Sequence, residues 1–159
     1  MWADFSEQTV LVAGNGALSS AIAEAFSSCG ANVFSVGENG TARGELASLG
    51  SEVPLALIYV PAYLESEDCD STVPVAAEFF GLINEIQTVW NTSPRYAVAL
   101  SSTVFCEYSQ GAALQAAGEA ALLSLIEYEN ARLLHETRED VRINILRVRQ
   151  GGTREFAVS

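Results

Sequence analysis

TVLVAGNGALSSAIAEAFSSCGANVFSV, residues 9–36, contains a strand, a tight turn, a helix and a second strand in that order. Thr9–Ala13 is a continuous apolar run, the pattern of a strand buried on both faces. Gly14-Asn15-Gly16 is a turn, and Leu18–Cys29 follows with Leu18, Ile22, Ala25 and Phe26 at helical spacing. Gly30 sits where a helix ends on a left-handed residue, and Ala31–Val36 is the second strand. Strand, glycine turn, helix and strand make the first half of a Rossmann-type unit.

Working outward, Gly37–Pro54 is sparse in apolar residues and too short for a further helix, strand and helix. A strand-to-strand crossover alone needs at least about a dozen residues. Leu55–Val60 (LALIYV) reads as the next core strand, and Glu65–Asp70 as a solvated acidic loop. Val73–Trp90 places Ala76, Phe79, Phe80, Ile83, Ile86, Val89 and Trp90 at helical spacing. Tyr96–Leu100 is another buried strand, Leu114–Leu134 the longest helix, and Arg142–Val148 a final strand. The expected fold is α/β, a reduced Rossmann-like three-layer domain spanning residues 1–159, with a mostly parallel sheet of about five strands.

Composition narrows the function classes. With 49% apolar and 18% charged residues in 159, the chain can bury a core and is not intrinsically disordered. A formal charge of −12 opposes nucleic acid and disfavours a dinucleotide that lacks a basic patch of its own. No apolar run approaches about 18 residues and no basic segment precedes one, so a soluble, cytoplasmic protein is expected. Cys29, Cys69 and Cys106 have no zinc-like spacing and read as free thiols. His135, the lone histidine, falls at a helix end where a solvated role is expected, and no metal site is foreseen.

Ala97–Leu125, AVALSSTVFCEYSQGAALQAAGEAALLSL, resembles the catalytic strand and helix of the short-chain dehydrogenase/reductase family. The opening segment, the helix EFFGLINEIQTVW and the late strand VRINILRVRQGGT resemble other parts of the same family. Two pieces lack a counterpart: the third-strand region after Gly37, and the substrate-covering helices and last strand expected beyond Ser159. The family carries a serine at the strand end, a tyrosine thirteen positions later and a lysine four further on. Counting from Ser102 gives Gln115 and Glu119, and aligning Gly81 and Gln87 puts Glu78 at the family's asparagine position. An amide cannot donate a proton as a phenol does, and a carboxylate in place of an ammonium inverts the local electrostatics. Loss of the proton donor alone costs about 10²–10⁴ in rate. The resemblance therefore implies a pseudoenzyme with no catalytic residue. Tyr108, in the loop after Ser102, reads as an ordinary half-buried ring.

The cofactor positions are altered as well. Gly14 and Gly16 fit a phosphate-binding turn, but Ser19 stands in place of the third glycine. Tyr59-Val60-Pro61-Ala62 replaces the family's Asn-Asn-Ala-Gly, and Glu38 would repel a 2′-phosphate. No cofactor is expected in this chain. The long helices are apolar over most of their girth, and in the family they form a four-helix bundle across a two-fold axis. The resemblance thus implies a hetero-oligomer, a heterotetramer on the family's bundle pattern, in which Phe79, Ile83, Trp90, Ala117, Ala121 and Leu125 meet an active paralogue that holds NAD. Two alternatives remain: a sensor holding a nucleotide or other small ligand at Gly14–Gly16, and an enzyme using Glu78 or Glu119 in a non-redox reaction.

Overall fold

The computed structural model describes residues 4–36, 46, 53–64, 75–92, 94–102, 110–136, 141–150 and 156–158. The elements follow as β1 (Thr9–Ala13), α1 (Ala17–Ser28), β2 (Asn32–Val36) and β3 (Ala56–Tyr59). A 3-10 turn (Ala62–Leu64), α2 (Val75–Trp90), β4 (Tyr96–Ser102), α3 (Gln110–His135), β5 (Arg142–Gln150) and β6 (Phe156–Val158) complete the order. The sheet runs β2-β1-β3-β4-β5-β6, with the first five strands parallel and β6 antiparallel to β5. The chain steps from β1 outward to β2, then returns to the other side of β1 for β3, so the sheet order reverses between β1 and β3. The Rossmann-like α/β architecture is therefore present, with a short sixth strand that the hydrophobic pattern does not show. Three residues are too few for a period to appear.

Strand alternation divides the core into two sides. Val10, Val12 and Ala56 pack with Ile22 and Phe26 of α1 on one face of the sheet. Leu11, Ala13, Leu57, Tyr59, Ala97, Ala99 and Ile143 face α2 and α3 on the other, against Phe79, Ile83, Ile86, Leu122, Ile126 and Leu133. The three layers follow from this. β4, next to the sheet centre, presents only Ala97, Ala99 and Ser101 to the helix pair, and such small side chains let two helices lie close to the sheet. Phe79 fills the space this leaves; it is fully buried, with its ring centroid 5.7 Å from Tyr59 and 5.4 Å from Phe80.

Helix ends obey local chemistry. Gly30 has φ +89, the left-handed conformation that stops α1, and a Cβ there would lie 2.9 Å from Ser6 Oγ. Asn91, φ 54, performs the same service after Trp90. α3 begins at Gln110, earlier than the apolar pattern alone indicates.

Candidate functional site

In open parallel sheets, ligands bind outside the carboxyl ends of the strands, where the sheet order reverses. Here that point lies between β1 and β3, and its two walls are the Gly14–Gly16 turn and the segment after Tyr59. Both walls are used by the protein itself. Gly14 N–H donates to Val36 C=O at 3.2 Å. The Ser19 hydroxyl accepts from Gly16 N–H and donates to Gly16 C=O, each at 3.0 Å, and Ser19 is buried. This is half of a capping box: the third helical residue reaches back to the backbone ahead of the helix. An amide that a phosphate would need is thereby engaged within the chain.

Across the crevice, Val60 N–H donates to Ala13 C=O at 2.8 Å, tying the segment after β3 to the end of β1. Val60, Leu64 and Leu100 form a buried cluster, with Leu18 and Ile22 of α1 packed against it. Pro61 is also fully buried. This apolar cluster thus reaches from the segment after β3 to the first turn of α1.

The positions matching catalytic residues lie on the α2/α3 side or at the strand end. Ser102 ends β4 in register with Val148, and Gln115 lies in the second turn of α3. Glu119 is buried at 4% exposure, on the same face of α3 as Leu122, Ile126 and Leu133. The Tyr59 hydroxyl donates to Glu78 Oε2 at 2.5 Å. Tyr59 pairs in register with Ala99.

The levels of these groups can be worked out. Ala97 lines a narrow gap with Ile83 and Gln87 of α2 and Glu129 and Leu133 of α3. Ser101 is four residues further along β4, about 13 Å at the usual rise of a strand. Crossover helices run opposite to the strands, and about nine helical residues span the same distance. Glu78 in the first turn of α2 and Glu119 in the third turn of α3 therefore stand near the level of Ser101. Ser101 is 1% exposed, and its hydroxyl has no hydrogen-bond partner among the described residues. The residue preceding Ser102 is thus the serine that turns toward the helix pair, as its alternation with Ala97 and Ala99 would have indicated.

This end of the α2/α3 layer gathers two carboxylates, a phenol and a hydroxyl. Such a set accepts hydrogen bonds and repels anions. Arg132, bonded to Glu129 and Glu136 at 2.9 and 2.7 Å, and the exposed His135 stand at the opposite end of α3. The two carboxylates hold the Arg132 guanidinium still more firmly in its charged form. Among the described residues no three His, Cys, Asp or Glu side chains converge as a metal site, and no helix is long and apolar enough to cross a membrane. An open hollow of about 210 Å³, lined by Asn130, Leu133, Leu134, Val141 and Arg142, lies at the amino end of the sheet, away from this cluster. Glu38, Glu65–Asp70, Cys69, Cys106 and Tyr108 fall outside the described residues.

The interface expectation needs correction at α2. Phe79 and Ile83 are buried inside the chain's own core, because the small residues of β4 admit α2 against the sheet. Trp90 is half-buried and packed against the same core. On α3, Ala117 and Ala121 are exposed, as are Leu125 and Tyr128 at 42% and 64%. Their spacing puts them on one outward stripe of the helix. No protein-family model matches this chain, and no curated protein matches it in sequence.

Proposed function

We propose that this chain is a noncatalytic subunit, similar to the short-chain dehydrogenases/reductases, that docks through α3 on an active NAD-dependent paralogue and stabilises it. Heteromeric members of that family with one degenerate subunit, such as 2-(α-hydroxybenzyl)succinyl-CoA dehydrogenase, set the pattern. The observation that carries the reading is the closed crevice between β1 and β3. Leu18, Val60, Leu64 and Leu100 pack where a dinucleotide would lie, and Ser19 occupies the turn's amide. Glu119 supports it, since a buried carboxylate stands at the position of the family's lysine. The partner would supply NAD, the phenol and the ammonium. The stripe Ala117, Ala121, Leu125 and Tyr128 offers small residues that permit close helix approach, beside large ones that bury area.

The test is co-purification with a full-length paralogue. The pure chain is expected to show no NAD-dependent turnover, and the pair to co-elute as a stable complex. Ala121→Arg, at an exposed position, should abolish the complex while leaving the chain folded. Turnover by the chain alone, or a complex indifferent to Ala121→Arg, would refute the reading.

One observation favours a second reading. The Ser101 hydroxyl, without a partner among the described residues and near the level of Glu78 and Glu119, suits non-redox chemistry with a carboxylate as base. Turnover that needs no nicotinamide and is abolished by Glu119→Gln would select it.

A further inference from the structure

The charge of this chain is unevenly placed along it. Residues 1–90 hold twelve of the twenty Asp and Glu side chains, a single arginine (Arg43) and no lysine. Residues 91–159 hold the other eight carboxylates together with seven arginines. Nearly all of the net charge of −12 therefore belongs to the first part, and the second is close to neutral.

The topology turns this imbalance into a separation in space. The sheet order β2-β1-β3-β4-β5-β6 does not interleave the two parts. The three strands drawn from residues 9–59 lie side by side, and the three from residues 96–158 follow them. α1 packs on the first group, with Ile22 and Phe26 against Val10, Val12 and Ala56. Among the described residues every arginine stands at Arg95 or beyond. In α3 opposite charges offset one another, with Arg132 bonded to Glu129 and Glu136 at 2.9 and 2.7 Å. Around α1, by contrast, Asp4, Glu7 and Glu24 are all exposed. Glu24 has only alanine and serine three and four residues away on its helix, so no cation offsets it locally.

We propose that the folded state depends on screening by dissolved monovalent cations, and that this dependence resides in the β2-β1-β3 half. Folding gathers like charges that the unfolded chain spreads out, so self-repulsion opposes the compact state. The Debye length is about 30 Å at 0.01 M salt and about 10 Å at 0.1 M. A domain of this size has a radius of gyration of about 15 Å. The longer screening length lets most carboxylates of one half repel each other, and the shorter one leaves only near neighbours in contact. The cations form an atmosphere and occupy no fixed site, so one monovalent cation serves as well as another. This inference does not rest on docking through α3.

Thermal melts of the full chain in NaCl, from about 0.01 to 1 M, test it. The melting temperature should rise by about 5–10 °C, most of it below about 0.2 M, and then level off. KCl should act as NaCl does. Glu24→Gln keeps the helix propensity of the position. It should melt about 2–4 °C above the parent in the lowest salt, and the gain should vanish in the highest. Glu127→Gln removes an exposed carboxylate from α3, in the balanced half, and should gain much less. A melting temperature that stays flat up to about 0.2 M overturns the proposal. So does a rise that begins only in the highest salt, which marks salting-out of apolar surface. A response to potassium but not to sodium would reveal a specific cation site and overturn the atmosphere. Equal gains from Glu24→Gln and Glu127→Gln would overturn the assignment to one half.

Discussion

Placing a third glycine in the turn, by Ser19→Gly, should weaken the fold without creating a nucleotide site. The Ser19 hydroxyl makes two bonds to Gly16, at 3.0 Å each. Its loss is unequal for the two partners. Gly16 C=O still accepts from Ser20 N–H at 3.1 Å, whereas Gly16 N–H loses the hydroxyl. Capping losses of this kind cost about 1 kcal/mol, which Ser19→Ala measures alone. Glycine in the first helical turn adds roughly 0.5–1 kcal/mol of backbone entropy, so Ser19→Gly should lose about 2 kcal/mol. At about 2–4 °C per kcal/mol for a chain of this size, the melting temperature should fall by about 2–4 °C for alanine and 4–8 °C for glycine.

NAD acts with the opposite sign if it binds. At a hundred times its dissociation constant a ligand stabilises by about 2.7 kcal/mol, more than the glycine removes. Thermal melts of the parent, Ser19→Ala and Ser19→Gly, with and without millimolar NAD, therefore separate the two cases by direction. Leu18, Val60 and Leu64 still fill the crevice in the glycine variant, so no NAD-dependent rise is expected. A rise in the parent or in Ser19→Gly refutes the closed crevice, and an undiminished Ser19→Ala refutes the capping role.

Asn130→Ala should cost about 2 kcal/mol, from two backbone bonds worth about 1 kcal/mol each. Asn130→Asp should cost more at neutral pH, because a carboxylate then faces the Ile143 carbonyl, and should recover as acid protonates it; equal urea midpoints for the two variants at pH 7 would count against this. The Asp4 carboxyl, which accepts from the Ser6 hydroxyl and N–H, titrates below its ordinary value of 3.8. Its contribution is present above that value and fades as pH falls through the lower folded one; an NMR titration should show Ser6→Ala moving it back upward.

Residues 9–36 are legible in the sequence because each signal in them is local. Thr9–Ala13 is buried at every position, and Gly30 adopts the conformation its place predicts. α2 was legible as a helix, with Val75, Phe79, Ile83 and Ile86 buried at its spacing, but not in its role. Periodicity shows which face is apolar; what covers that face depends on neighbours, here the alanines of β4. The buried Ser101 was missed because counting toward a family serine stopped at Ser102, although strand alternation alone singles out Ser101. Asn130 gave no signal at all, since it bonds a backbone thirteen residues away.

A strand-end crevice binds anionic ligands because free amides and room coincide there. On the proposed reading the two conditions fail separately in this chain. Ser19 answers the amide with a hydroxyl, and Leu18, Val60 and Leu64 take up the room. On the opposite face of the sheet, buried Glu119 and the Tyr59–Glu78 pair add negative potential to that end of the strands. Reversing any one of these leaves the others in force, so on the proposed reading no single substitution should confer dinucleotide binding. The outward stripe of α3 is free of that conflict. Ala117, Ala121, Leu125 and Tyr128 stand clear of the core. Substitutions on that stripe should therefore alter association while leaving the melting temperature of the isolated chain nearly unchanged, and substitutions in the crevice should do the reverse.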